Sequence, residues 1–208
     1  MTSRLILASA SPARAKVLSD AGIRHSVLVS DVDEDAVAAQ YGPLDAFDTS
    51  LLLARAKAEA VASTDGSEGA LVIGCDSIFE FDGEAHGKPW EPEIARARIR
   101  RMSGSVGVLH TGHWLVDTRD PSDGGSGATV GAVASASVHF AQLTMDEIDA
   151  YVATGEPLQV AGSFTIDGLG GAFITRVDGD PHAVIGLSVS TLRGLLGSAN
   201  LTVMDFWG

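Results

Sequence analysis

The chain has 208 residues, of which 45% are hydrophobic, enough for one globular domain or two closely joined lobes around a cleft. Its 27 acidic and 14 basic side chains give a formal net charge of −13, which disfavours nucleic-acid and anionic-membrane partners, although local cations can still attract a small anion. The sequence shows no apolar stretch of membrane-spanning length, no secretory pattern at its start and only one cysteine, so we expect a cytoplasmic protein without an internal disulfide.

The first third of the chain reads as a strand, a turn and a helix, followed by a second strand and a long helix. Residues 5–8 are an apolar run typical of a short buried strand, and a serine–proline turn then starts a helix that continues to about Ala21. A second strand covers residues 27–29 and leads into the acidic stretch 31–35. Residues 45–62 carry the alanine-rich pattern of a long helix.

The middle of the chain consists mostly of predicted strands. Residues 70–75 form an apolar strand, and residues 77–85 resemble a hairpin that turns at an Asp-Gly pair. A proline at the first helical position predicts a helix over residues 92–103. Residues 108–116 and 129–142 show the alternation of half-buried strands.

The last part of the chain mixes a loop, helices and one strand. The polar, Gly/Ser-rich residues 117–127 predict a mobile surface loop, and a capping box predicts a helix over residues 144–155. A glycine-rich run at 167–171 precedes a strand at 173–177 and a final helix at 190–196. This alternation predicts an α/β protein, a mixed sheet with helices on its faces, forming one domain over the whole chain.

The turn after the first strand is a candidate phosphate site. Ser11 can cap the helix and Pro12 suits its first position, so the free N–H groups of the first turn point at the preceding small residues. Arg14 lies one turn away, and phosphate binds well at such helix starts. An ordinary capped helix explains the same residues, so this signal does not decide alone.

Two acidic features could carry metal or base chemistry. The stretch 31–35 offers carboxylates to Mg²⁺ or Mn²⁺, although most acidic loops are merely solvated. Asp76 follows the apolar run directly, which places its carboxylate at the end of a central strand, where open α/β sheets bind ligands. A carboxylate there is costly to desolvate unless it meets a metal, a cation or a water molecule that it activates.

Two lysines and the glycine-rich run complete the candidates. Lys88 and Lys57 could each offer a positive charge to a phosphate oxygen, or could be ordinary surface lysines. The glycine-rich run is not a dinucleotide fingerprint, because Phe173 occupies the last glycine position, but it would allow close approach of a flat base. The histidines show no zinc spacing, and Cys75 has no helper residue, which disfavours thiol catalysis.

Taken in order, these segments resemble the Maf family of nucleotide pyrophosphatases. Each motif is modest alone, but eleven of them occur in register over nearly the whole chain. The matching segments are residues 5–14, 32–34, 54–58, 73–77, 87–89, 102–104, 111–112, 138–140, 155–157, 161–164 and 184–187.

The resemblance implies a homodimer of α/β subunits, each with two lobes around a central cleft, related to the inosine triphosphate pyrophosphatases. It implies cleavage of nucleoside triphosphates between the α and β phosphates with a divalent metal, Mg²⁺ or Mn²⁺. Asp76 matches the family's catalytic aspartate, which accepts a proton from water, and Glu34 matches its acidic metal-side residue. The positions that match the family's phosphate-binding residues are Ser9, Arg14, Lys57 and Lys88.

Three positions depart from the family pattern and bear on substrate choice. Ala13 stands where the family has an arginine, and Ser77 replaces a threonine while it keeps the hydroxyl. Asp167 stands where the pyrimidine-preferring branch has glutamine. A carboxylate can accept the N1 and N2 hydrogens of guanine, so these substrate-side residues leave the preferred base open.

A different class of function fits part of the same pattern. The family is also linked to inhibition of septum formation, so a non-catalytic nucleotide-binding regulator is the alternative to a housekeeping hydrolase. Asp76, Glu34 and Lys88 favour catalysis, whereas the missing arginine at position 13 favours the regulator. A kinase or phosphomonoesterase lacks support, because the chain has no Walker lysine loop and no nucleophile motif.

Overall fold

A computed structural model describes residues 3–208 of the chain. Its strands are Arg4–Ala8 (β1), Ser26–Val27 (β2), Ala70–Phe81 (β3), Glu84–His86 (β4), Val106–Asp117 (β5), Thr129–Phe140 (β6) and Ile174–Gly179 (β7). Its α-helices are Pro12–Asp20 (α1), Glu34–Tyr41 (α2), Ala46–Ala62 (α3), Pro92–Met102 (α4), Met145–Ala153 (α5), Pro181–Ile185 (α6) and Val189–Ser198 (α7).

The strands form one mixed sheet of seven strands in the order β2-β1-β3-β5-β6-β7, with β4 beside the far end of β3. The pairs β2–β1 and β1–β3 are parallel, and the remaining pairs are antiparallel. The predicted α/β class with a mixed sheet is therefore confirmed. No helix within residues 3–208 is both long enough and apolar enough to cross a bilayer.

Strand β3 changes its neighbour along its length, and this change creates the cleft. Its first part pairs with β1 as far as Gly74, which lies opposite Ala8. Its last part pairs with β4 from Phe79 onward, while β5 follows it on the other side throughout. The chain that leaves β1 therefore turns away beside the middle of β3, at the level of Asp76.

The hydrophobic core has separate clusters on either side of this point. In the first half, Leu5 and Ile73 pack under α1 and α7, while Ile6 and Val72 pack against Val61 of α3 on the opposite face. In the second half, aromatic side chains of β3, β6 and the segment after α5 form one cluster, and α4 packs on α5 in another. The long strands β3, β5 and β6 connect the two halves.

Two glycines allow α3 to lie directly on the sheet. A Cβ atom added at Gly74 would overlap the carbonyl oxygen of Ala54 and would lie 2.7 Å from the amide nitrogen of Ala58. A Cβ atom added at Gly112 would overlap Ser50 in the same way. Because side chains alternate along a strand, Asp76 points to the same face as Gly74 and therefore toward α3.

Several predicted boundaries were wrong, and one error concerns Asp76. This residue and Cys75 do not end a strand, because β5 continues the ladder and β3 extends to Phe81. Asp76 nevertheless lies beside the end of a strand, because neighbouring β1 ends at Ala8, opposite Gly74. Cys75 is buried.

Two helices were not predicted. The acidic stretch begins α2, in which Asp33 accepts a hydrogen bond from the amide of Ala36 at 3.0 Å, rather than forming a loop. Helix α6 follows β7 and was also missed, while β2 begins one residue earlier and ends two residues earlier than expected. The predicted hairpin turn at Asp82 and Gly83 is confirmed, with both residues at positive φ.

The connection between β5 and β6 is organised by one buried carboxylate. Asp117 accepts hydrogen bonds from the Arg119 guanidinium at 2.9 and 2.8 Å, and from the amide and hydroxyl of Ser126 at 2.8 Å each. Burial alone would raise the pKa of Asp117, but these donors hold it far below its ordinary value. The loop, which the sequence predicts to be mobile, thus contains a defined set of hydrogen bonds.

Substitution of Gly74 tests the close approach of α3 to the sheet. We expect Gly74→Ala to lower the free energy of unfolding by about 1–3 kcal/mol, because the added methyl group overlaps helix backbone that cannot move independently. Urea denaturation measures this change. The matched control is Gly194→Ala in α7, where nothing lies within 4 Å of the added Cβ atom and helix propensity favours alanine. Equal stability of the two variants would contradict the packing argument.

Candidate active site

The candidate site lies where the chain leaves β1 and enters α1. Ser11 caps this helix, its hydroxyl accepting a hydrogen bond from the amide of Arg14 at 3.5 Å, and Pro12 occupies the first helical position as predicted. The hydroxyl of buried Ser9 accepts a hydrogen bond from the amide of Ser11 at 3.2 Å. The turn between strand and helix is thereby fixed, with its backbone along one wall of the cleft.

Arg14 is held by contacts to three different parts of the chain. Its guanidinium donates to the Ser9 hydroxyl at 3.1 Å and to the carbonyl oxygen of Gly186 at 2.8 Å. It also donates to the Ser77 hydroxyl at 3.1 Å. A guanidinium fixed at this point is a preorganised anion-binding group, because its planar fork matches phosphate oxygens.

The Ser77 hydroxyl connects Arg14 to the buried interior of the sheet. Thr111 donates to the carbonyl oxygen of Ala183 at 2.8 Å, so the 2.8 Å contact between Ser77 and Thr111 is one in which Ser77 donates. Ser77 therefore accepts from Arg14 and donates to Thr111. Ser77 therefore helps to position Arg14. A serine can do this as well as the family's threonine, because the hydroxyl makes both contacts.

A buried ion pair joins Asp76 to α3. The Lys57 ammonium lies 2.5 Å from one carboxylate oxygen of Asp76 and 2.7 Å from one of Glu34 at the start of α2. Asp76 and Lys57 have side chains only 10% and 11% exposed, whereas Glu34 is about half exposed. Three residues that are distant in sequence therefore meet at one point beside the cleft.

The surroundings of Asp76 act on its basicity in opposite directions. Burial raises the pKa of Asp76, and the positive charges of Lys57 and Arg14 oppose this rise. The net result is a pKa above the ordinary value of an aspartate. A carboxylate with a raised pKa is a better proton acceptor than an exposed one, and the Lys57 charge favours its ionised form.

The cleft contains two compartments that share part of their lining. The larger has a volume of about 450 Å³ and is bordered by the 9–14 turn together with Glu34, Lys57 and Lys88. The smaller, of about 150 Å³, lies between Leu109, Phe164, Asp167 and Val184. Arg14 borders both compartments, so a ligand that occupied the two would pass its guanidinium.

The predicted residues separate between these compartments. Ser9, Arg14, Glu34, Lys57 and Lys88 border the larger one, with Asp76 behind Lys57. Asp167 borders the smaller one, and Ser77 and Ala13 lie beside Arg14. Lys88 is exposed, and its ammonium lies 5.1 Å from the ring centre of Trp90, at the mouth of the cleft.

Other residues of the cleft were not predicted from the sequence. Gln159 and Val160 border both compartments, and Thr111 supports the arginine network from within the sheet. Gln159 and Val160 follow the Gly155-Glu156-Pro157 motif closely, which was the available signal for this segment. Thr111 belongs to a short Thr-Gly motif whose spacing indicates no chemistry.

The carboxylates of Asp76 and Glu34 are the groups that could hold a divalent cation. Within residues 3–208 no group of three or more acidic, histidine or cysteine side chains is arranged as a metal site. Magnesium is commonly bound through one or two carboxylates together with substrate phosphates and water. The carboxylates of Asp76 and Glu34, which both contact the Lys57 ammonium beside the cleft, fit that pattern.

Comparison with known proteins places the chain in a family. It matches the sequence profile described as Maf-like protein over residues 4–199. It is 53% identical to a nucleoside triphosphate pyrophosphatase of Leifsonia xyli subsp. xyli, over 98% of this chain and 96% of that protein. Proteins of the same name from Salinispora tropica and Nocardia farcinica are 52% and 51% identical, over 98% and 100% of this chain and 87% and 98% of their own lengths.

Removal of the lysine tests the energetic coupling within the buried ion pair. We expect Lys57→Met to destabilise the protein by about 3 kcal/mol, because Asp76 would lose the charge that offsets its burial. The double variant Lys57→Met/Asp76→Asn should recover much of that loss, since it no longer buries an unpaired charge. Urea denaturation of the wild type, both single variants and the double variant gives the coupling energy. Strictly additive effects would contradict the pairing.

Proposed function

This chain belongs to the Maf family, and on that basis we propose that it is a nucleoside triphosphate pyrophosphatase. The reaction consumes one nucleoside triphosphate and one water molecule and yields a nucleoside monophosphate and diphosphate. The observation that carries the proposal is the buried pair of Asp76 and Lys57, which lies beside a cleft bordered by further cations. A proton acceptor next to an anion-binding cleft is the arrangement that hydrolysis of a phosphoanhydride requires.

The larger compartment is suited to the triphosphate. Arg14 and Lys88 bring two positive charges to it in a chain whose net charge is −13, and Lys57 brings a third that is paired with Asp76 and Glu34. The first turn of α1 adds the backbone N–H of Ala13 and the positive end of the helix dipole. These groups would neutralise charge that develops on the leaving diphosphate, which lowers the barrier to attack by water.

Asp76 is the proposed proton acceptor. Its buried carboxylate would orient a water molecule toward the α phosphorus and take its proton while the bond from that phosphorus to the bridging oxygen breaks. Lys57 favours the ionised form of the carboxylate and, by contacting both Asp76 and Glu34, fixes its orientation. The departing diphosphate would be retained by Lys88 and Arg14 until release.

Asp76 and Glu34 are the proposed metal-side residues for Mg²⁺ or Mn²⁺. Their carboxylates meet at the Lys57 ammonium, and phosphate oxygens of the substrate would complete an oxygen ligand set. When bound, the divalent cation supplies Lewis-acid stabilisation of the negative charge on the phosphates. The protein's own contribution is to hold the buried Asp76 carboxylate and the half-exposed Glu34 carboxylate close together through Lys57.

The smaller compartment is suited to the base. Phe164, Leu109 and Val184 give it apolar surfaces, and Asp167 offers a hydrogen-bond acceptor at its border. We propose that this carboxylate accepts the N1 and N2 hydrogens of a guanine-type base. The assignment follows from the donor pattern of that base, which an amide side chain matches less well.

The proposal also includes a homodimeric, cytoplasmic enzyme, as the family resemblance implies. The alternative, a nucleotide-binding regulator of cell division without turnover, predicts binding of triphosphates and no product. A screen of canonical and modified triphosphates with Mg²⁺ and with Mn²⁺, read by release of diphosphate, separates the two. Release of orthophosphate in place of diphosphate would contradict both.

Asp76 can be tested by removal of its charge at constant shape. We expect Asp76→Asn to lower kcat for diphosphate release by about 10²–10⁴-fold, the usual contribution of a general base. The rate is measured with saturating nucleotide and metal. The matched control is Asp35→Asn, which removes an exposed carboxylate next to Glu34 and should retain full activity. Undiminished turnover in Asp76→Asn would refute the assignment.

Asp167 can be tested by a nucleotide panel. We expect Asp167→Asn to reduce kcat/KM for guanine nucleotides about tenfold more than for pyrimidine nucleotides, because a charged acceptor is lost only where the base donates to it. Asp146→Asn, which alters an exposed carboxylate in the first turn of α5, serves as the control. An unchanged order of preference in Asp167→Asn would contradict the guanine assignment.

A further inference from the structure

The glycine-rich segment after Phe164 is folded around a single carboxylate, that of Glu156. One oxygen of Glu156 accepts the Thr165 hydroxyl at 2.5 Å and the amide of Gly170 at 2.9 Å. The other oxygen accepts the amide of Leu169 at 2.9 Å. The Tyr151 hydroxyl donates to the first oxygen at 2.9 Å, which fixes the carboxylate to α5.

Gly168 lies against the Glu156 carboxylate itself, and Gly170 lies against two of the residues that donate to it. A Cβ atom added at Gly168 would lie 2.6 Å from both the Glu156 carboxylate and the Thr165 hydroxyl. A Cβ atom added at Gly170 would overlap the Tyr151 hydroxyl and would lie 2.7 Å from the Thr165 carbonyl oxygen. The run that is not a dinucleotide fingerprint therefore allows the chain to wrap closely around Glu156.

The hydrogen bonds keep Glu156 ionised although it is half-buried. Burial alone would raise the pKa of Glu156, but donation by Thr165, Gly170, Leu169 and Tyr151 holds it below the ordinary value. Tyr151 is itself buried, and its ring meets Phe173 edge-on with centroids 5.4 Å apart. The anchor of the segment is thus part of the core between α4 and α5.

The segment that Glu156 holds is the wall of the smaller compartment. Thr165 and Asp167 both border that compartment, and Asp167 lies between the two attachment points at Thr165 and Leu169. Glu156 is not among the residues that border either compartment, so it acts on the wall from behind. The side of the larger compartment that carries Glu34, Lys57 and Lys88 is built from other segments of the chain, while Gln159 and Val160 border both compartments.

We propose that Glu156 is a positioning residue that sets base selectivity by fixing the wall which carries Thr165 and Asp167. The inference rests on the proposed function, because it concerns which nucleoside triphosphate the same site accepts. Phosphate binding and proton abstraction depend on other residues and should be independent of Glu156. Selectivity and chemistry are therefore expected to respond differently when this carboxylate is altered.

The test compares Glu156→Gln with wild-type enzyme on a panel of nucleoside triphosphates. In the variant an NH₂ group faces a backbone N–H that donated to the carboxylate, so the wall loses an attachment point while volume is kept. We expect KM to rise and the ratio of kcat/KM between the best and worst nucleotides to change about tenfold, as the loss of a charge-assisted hydrogen bond implies. The inhibition constant of inorganic tripolyphosphate, which has neither base nor sugar, should stay within about twofold of wild type.

Two further variants keep the test decisive if Glu156→Gln does not fold. Gly168→Ala displaces the wall while every hydrogen-bonding group is retained, and Tyr151→Phe removes one donor to the carboxylate. Each should shift the same ratio, with tripolyphosphate inhibition preserved. The matched control is Glu147→Gln, which alters a carboxylate of the α5 capping box away from the wall and should leave the ratio unchanged.

The outcomes separate this inference from the function on which it rests. An unchanged ratio in the folded wall variants would overturn the role of Glu156 while leaving the hydrolase intact. An equal loss for all nucleotides, together with weaker inhibition by tripolyphosphate, would show a general structural role and would also overturn it. Absence of diphosphate release from every nucleotide in the wild type would instead refute the proposed function.

Discussion

The site depends on the contact between the Lys57 ammonium and the buried Asp76 carboxylate. A carboxylate among the central strands of a sheet loses most of its hydration, and without a nearby cation it would take up a proton. Lys57 reaches it only because α3 lies on glycine positions of β3 and β5, where a side chain would hold the helix away. The glycines of β3 and β5 thus allow α3 to lie close to the sheet, and α3 in turn places the Lys57 charge beside Asp76.

The same contact also organises the edge of the cleft. Lys57 binds Glu34, the first residue of α2, so a helix without a single buried side chain is connected to the interior by an ion pair. On the opposite face of β3, Arg14 is held by Ser77, Ser9 and the carbonyl oxygen of Gly186. Two neighbouring residues of β3 therefore act on opposite faces of the sheet. Asp76 points toward Lys57 on one face, and Ser77 supports Arg14 on the other.

The sequence predicted correctly those features of the fold that depend on a few adjacent residues. The capped start of α1, the capping box of α5 and the Asp-Gly hairpin each depend on a few adjacent residues, and all three are present. Helix α2 was missed because it buries no side chain and so has no apolar periodicity to detect. The end of β3 was misplaced because its neighbour changes from β1 to β4, a property of the sheet that its own residues do not encode. The family resemblance grouped Asp76, Lys57 and Glu34, but the pairing through one ammonium requires three-dimensional placement.

Strands β3, β5 and β6 are each twelve residues long and run without interruption from one half of the molecule to the other. A hinge between the halves would have to break three neighbouring ladders at once, so the opening between them has a width set in advance by the sheet. Closure of one half on the other would require all three paired strands to bend, which disfavours a hinge motion between the halves. Long exposed side chains such as Lys88 can still adjust to a ligand, because they change conformation without moving the backbone.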